Sequence, residues 1–85
     1  MSSVKKSFNT VDLKADNIYT IPDNQIVNIT NFSTSTETMS VTDNYSGDNF
    51  DLQIGETITL NWGFVNNSIT IVTPSGATGR VIYYR

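Results

Sequence analysis

Cysteine and histidine are both absent from the 85 residues of this chain. Without cysteine there is no disulfide framework, no thiol nucleophile and no thiolate metal site. Without histidine, Ser–His–Asp and Cys–His catalysis are excluded, as are the usual zinc and copper ligands. Two carboxylates can still perform acid–base chemistry, but a short chain lacking both residues is expected not to be an enzyme. No cofactor and no metal are expected. Basic residues are scarce: Lys5, Lys6, Lys14, Arg80 and Arg85 stand against eight acids, for a net charge of −3. All five lie toward the two ends, and residues 15–79 hold seven acids and no base. Phosphate backbones require clustered Lys and Arg, so nucleic acid is not an expected partner. The longest apolar run is Val81-Ile82-Tyr83-Tyr84, far short of a membrane span. Lys5-Lys6 is followed by Ser7-Phe8-Asn9-Thr10 and not by an apolar stretch, so no secretory signal is predicted.

Good helix formers are also few. Ala, Leu, Met, Glu, Gln, Lys and Arg fill 16 positions, whereas Ile, Val, Thr, Phe, Tyr and Trp fill 37. The second group suits a pleated sheet. Apolar residues alternate with polar ones at Met39–Val41–Tyr45, Phe50–Leu52–Ile54 and Ile58–Leu60–Trp62, the period of half-buried strands. Further strands are read at Ile18–Ile21, Ile26–Phe32, Ile69–Val72 and Arg80–Arg85. Turn chemistry separates them: Pro22-Asp23-Asn24 ending a strand, Ser33–Thr36, Ser46-Gly47-Asp48, Gly55-Glu56, Asn66-Asn67 in a tight hairpin, and Pro74-Ser75-Gly76. Seven to eight short strands at near-regular spacing predict an all-β, antiparallel β-sandwich, a jelly-roll-like domain. It occupies residues 17–85. Residues 1–16 form an N-terminal arm or an edge strand.

Three groups of side chains are candidates for more than packing. Asp43, Asp48 and Asp51 lie close together, but the glycine and closing glutamate of a calcium loop are missing, so a solvated turn is expected. Trp62, Phe64, Tyr45, Tyr83 and Tyr84 could form a stacking platform for a glycan, with Trp62, Tyr45 and Tyr84 as the contact candidates; the register of Trp62 with Ile58 and Leu60 also fits the core. Tyr83 and Tyr84 are adjacent, so they point to opposite faces of the last strand, and Val81/Tyr83 and Ile82/Tyr84 make both faces apolar. In so small a domain the second cover can be another subunit. A chain of this length buries only about 60–65% of its unfolded surface. With no disulfide or His/Cys metal staple, oligomerisation is the expected supplement, and it also protects sheet edges. The interface candidates are Val4, Phe8, Val11, Leu13, Ile82, Tyr83 and Tyr84. The first four are spaced along the basic N-terminal segment. Its charge predicts that it lies on an acidic surface of its own body, of a neighbouring subunit or of a larger assembly.

The run Ile18-Tyr19-Thr20-Ile21-Pro22, then Val27-Asn28-Ile29-Thr30-Asn31, a Ser/Thr loop, and Leu52-Gln53-Ile54-Gly55-Glu56-Thr57-Ile58-Thr59-Leu60 resembles small β-sandwich proteins of tailed bacteriophage particles. The resemblance covers residues 18–62. It departs from the usual pattern at Asp23-Asn24-Gln25, where a small-residue turn is common. It implies a structural protein of the virion, made in the host cytoplasm. The expected role is capsid decoration, cementing the shell through contacts with the major capsid protein or other virion proteins. The expected assembly is a symmetric homo-oligomer, a trimer first. A tail- or fibre-associated module recognising a host surface glycan is the alternative. No catalytic residue is implied.

Since neither His nor Cys is present and the aspartate spacing does not suit calcium, removing divalent metal should leave stability unchanged. A large fall in melting temperature on adding EDTA would show that the Asp43–Asp51 segment holds an ion.

Overall fold

The computed structural model describes residues 7–84. Eight strands occur in order: β1 (Phe8–Leu13), β2 (Asn17–Asn24), β3 (Ile26–Asn31), β4 (Met39–Asp43), β5 (Asn49–Leu52), β6 (Thr57–Asn61), β7 (Asn67–Thr73) and β8 (Gly79–Tyr84). There is no helix among the described residues. One sheet has the order β1-β8-β3-β6 and the other β2-β7-β4-β5, with every pairing antiparallel. The pairs β1–β8, β2–β7, β3–β6 and β4–β5 are nested about the chain's middle. A long two-stranded ribbon, bent between β4 and β5 and rolled up, produces this arrangement. It is an eight-stranded jelly roll.

Alternation along each strand decides which face is buried. Val27 and Ile29 of β3, Met39 and Val41 of β4, Ile69 and Ile71 of β7, and Val81 of β8 point inward and are fully covered. Leu13, Ile21, Leu52 and Ala77 complete the core, with Val11, Tyr19, Ile58, Leu60, Trp62 and Tyr83 packed around it. The outer faces carry mostly hydroxyls and amides. Asn28 donates to Thr59 (3.0 Å), Thr30 and Thr57 share a hydrogen bond (2.9 Å), and the Asn49 amide reaches Ser40 (2.6 Å) and Thr42 (2.8 Å). Such cross-strand pairs hold the sheets from outside.

Several local expectations are corrected. Pro22 does not end a strand. β2 runs through it with a register shift between Ile21 and Asn24. This strand lies on a sheet edge, where a missing N–H and a bulge are tolerated. Asn66-Asn67 is not a tight hairpin: β6 and β7 belong to different sheets, and in that link the positive φ is at Gly63. Tyr45 and Ile54 fall just outside strands, in turns where Gly47 and Gly55 take positive φ.

The end carrying the β3–β4 and β7–β8 links is closed by hydrogen bonds. Phe32 N–H donates to the Thr78 carbonyl (3.0 Å) and Thr36 N–H to the Gly76 carbonyl (2.9 Å). The Ser35 hydroxyl donates to the Thr78 carbonyl and accepts from its N–H, both at 3.0 Å. Buried Asn31 reaches across the sandwich, donating to the carbonyls of Glu37 and Leu52, each at 3.1 Å. Gly79 is pinned here by space. A Cβ would overlap the Thr30 carbonyl oxygen of the neighbouring strand and the Met39 methyl of the opposite sheet. We predict that Gly79→Ala destabilises the fold by about 2 kcal/mol through overpacking, which lowers the melting temperature by roughly 10 °C. An unchanged thermal transition would contradict this packing.

Candidate functional site

The other end of the sandwich gathers the starts of β1 and β3, the end of β8, and the β4–β5 and β6–β7 links. The registers place them together: Phe8 faces Tyr84, Tyr84 faces Ile26, Ile26 faces Asn61, and Asn24 faces Asn67. A hydrogen-bond chain ties this end. The Trp62 indole N–H donates to buried Asn24 Oδ1 (3.1 Å), and Asn24 Nδ2 donates to the Asn67 carbonyl (3.0 Å). Asn67 Nδ2 donates to Asp43 Oδ1 (2.7 Å), which also accepts from Tyr45 N–H (2.8 Å). The ends of β2, β4 and β7 in the second sheet are thereby tied to one another and to Trp62, the residue that follows β6 of the first sheet. Sequence reading missed Asn24 and Asn67, treating both as turn residues. Their facing positions emerge only once β2 is paired with β7.

Between the two sheets at this end lies a cleft of about 280 Å³ lined by Val41, Asp43, Asp48, Asn49, Phe50, Leu60, Trp62 and Ile69. Val41 and Ile69 are buried and form its floor, while Phe50, Leu60 and Trp62 are partly open and form its walls. Asp43, Asp48 and Asn49 stand at the rim. The cleft exists because β5 and β6 are edge strands of different sheets with no pairing between them.

Most exposed large apolar side chains also belong to this end. Phe64 is fully exposed, Tyr45 is 88% exposed, and Phe8 and Val65 are each about two-thirds exposed. Phe50 and Tyr84 are more than one-third exposed. The Phe8 and Tyr84 rings are 6.3 Å apart and tilted by 59°. Together with Ile26 and Ile82 they make an apolar corner on the outer face of the first sheet.

The interface candidates therefore separate. Phe8, Ile82 and Tyr84 share that outer corner. Leu13 lies in the chain's own core, out of reach of a partner, and Val11 and Tyr83, partly exposed, pack against that core from the inner face and not in the outer corner. Val4 lies outside the described residues. Among the glycan candidates, Trp62 walls the cleft and Tyr45 sits in the adjacent link, but Tyr84 belongs to the outer corner. Phe64, which belongs to the same group of candidate stacking aromatics, is the most exposed aromatic of all. Asp43 and Asp51 lie on opposite faces of the second sheet, since Asp51 faces outward-pointing Ser40. No group of three Asp or Glu side chains comes together among the described residues.

No family model and no curated protein matches the chain. Among solved structures, the chain is similar to a de novo designed double-stranded β-helix determined by solution NMR, with a TM-score of 0.58 and 16% identity over 96% of this chain and 100% of that one. This likeness concerns the fold alone.

The Tyr45 N–H is the first cause holding the Asp43 carboxyl below its ordinary 3.8, helped by the Asn67 amide and Ser46 against the opposing effect of burial. A depressed folded-state pKa means that the ionised group stabilises the fold above pH 3.8, and that this stabilisation is lost as pH falls through the folded value. We predict that Asp43→Asn is less stable than the parent near neutral pH and that the gap narrows on acidification. Urea unfolding between about pH 2 and pH 6 reads this directly. A gap constant across that range would mean that Asp43 ionisation is not coupled to folding.

Proposed function

We propose that this chain is a non-enzymatic structural protein of a phage virion, a decoration protein that cements the shell by contact. The observation that carries the contact reading is the concentration of Phe8, Tyr45, Phe64, Val65 and Tyr84 at one end of the sandwich. Large aromatic side chains held in water gain by burial against a partner, and they are the anchors that protein interfaces favour. The opposite end is closed by its own hydrogen bonds, and its exposed large apolar side chains, Ile18, Ile54 and Val72, include no aromatic. The virion assignment rests on the resemblance of residues 18–62, and the absence of His and Cys supports a role without chemistry.

The glycan alternative draws support from Trp62 beside the rim carboxylates. The remaining cleft walls are aliphatic or phenyl groups, which suit an apolar occupant better than a sugar.

Because Tyr45 and Phe64 are exposed, their replacement should hardly affect stability, within about 0.5 kcal/mol. We predict that the Tyr45→Asp/Phe64→Asp double variant melts like the parent but no longer co-sediments with particles stripped of the protein. Co-sedimentation equal to the parent's would exclude the aromatic end as the attachment surface. Band intensities from purified particles provide the second reading: decoration requires a copy number comparable with that of the shell protein, whereas a tail module requires a small fraction of it.

A further inference from the structure

The inter-sheet cleft combines two chemistries. Its floor and walls are apolar, and two carboxylates stand at its rim. Arg80–Asp12, at 3.3 Å, is the one ion pair among the described residues, so neither Asp43 nor Asp48 has a cationic partner there. An occupant matching both features presents an apolar group next to one or more ammonium groups.

One stretch of this chain outside the described residues has that character. Val4-Lys5-Lys6 places an isopropyl group beside two lysines, whose aliphatic stems can lie along apolar walls while the ammonium groups reach the rim. From residue 15 to residue 79 there is no base at all, so the acidic rim has few counterparts to choose from. We propose that the cleft is the seat of the Val4–Lys6 segment of a second copy of this chain.

A second copy is required by reach. β1 and β6 are opposite edges of the first sheet, three inter-strand spacings apart, or about 14 Å. Val4 precedes Phe8 by four residues, which extend at most about 14 Å. The segment of the same chain would exhaust its length crossing β8, β3 and β6, with nothing left to descend between the sheets. A neighbour whose N-terminal side approaches the cleft from outside has no such limit. Each copy donates one segment and receives one, so the contact closes as a reciprocal pair or as a ring. The seated segment also covers the partly exposed walls Phe50, Leu60 and Trp62.

The absence of native cysteine makes the test direct. Val4→Cys is prepared as one full-length protein, Leu60→Cys on the cleft wall as a second, and Ser75→Cys at the opposite end as a control. Should Leu60→Cys melt far below the parent, Asp48→Cys at the rim takes its place. Mixed under mild oxidation, Val4→Cys and the cleft variant should form the mixed disulfide several-fold faster than Val4→Cys and Ser75→Cys, because a seated segment has a high effective concentration. Light scattering on the purified parent should show an assembly larger than one chain, which Lys5→Glu/Lys6→Glu reduces toward the monomer. Equal rates with the control overturn the proposal. So does a parent that is monomeric at every concentration, or a Val4→Cys/Leu60→Cys double variant that cross-links only within one chain. All of these measurements use the isolated chain, so failure here leaves the virion reading untouched.

Discussion

The contact between the inner faces of the two sheets supports every other feature of this molecule. Each strand contributes two or three inward side chains, and no covalent bond or metal ligand set of His and Cys is available to help them. The core therefore has to be continuous. Val27 and Ile29 from one sheet meet Met39, Val41, Ile69 and Ile71 from the other, and all six are fully covered. Gly79 shows how close the packing is, because even a methyl group there meets the neighbouring strand and the opposite sheet. Nested pairing makes such a core possible in so short a chain, since every strand finds a partner without long connections.

Sheets that meet only through apolar side chains need something to hold their ends together. Here buried amides do so. Asn31 spans the sandwich at one end, and Asn24 anchors Trp62 at the other. A buried amide left without partners is expensive, so Asn24, bonded through both its oxygen and its nitrogen, and Asn31, bonded through its nitrogen while its Oδ1 has no partner, favour the arrangement that supplies these bonds. The two ends then diverge. At the Asn31 end, the β3–β4 and β7–β8 links, each running between the two sheets, bond to each other and close that end. At the Asn24 end, the edge strands β5 and β6 part, a cleft remains, and aromatic side chains stand in water. The proposed contact rests on that asymmetry.

Parts of this arrangement were legible in the residues. Alternation at Met39–Val41 and Ile58–Leu60, the Ser33–Thr36 loop and the Pro74-Ser75-Gly76 turn all lie where local chemistry places them. Other parts were not. Pro22 reads locally as a strand terminator, and only its position on an edge strand makes it harmless. Tyr45 continues an apolar alternation on paper, but the Asp43 carboxylate caps a turn that takes it out of the strand. Asn66-Asn67 has hairpin chemistry, yet the strands on either side enter different sheets. Leu13 reads as an anchor for a partner and is instead part of the core, because β1 pairs with β8 across almost the whole length of the chain.

The sequence by itself determined the all-β class, the inward and outward assignment of most strand residues, and the exclusion of thiol and imidazole chemistry. These follow from composition and from a two-residue period, both local properties. Only the tertiary structure decided which strands share a sheet, which apolar residues remain exposed, and that Asp43, Asp48, Phe50 and Trp62 surround one cleft. Those outcomes depend on pairings such as β2 with β7 and β3 with β8, between residues about fifty positions apart. No local pattern encodes such a pairing. It emerges from the single arrangement that buries all eight inner faces at once.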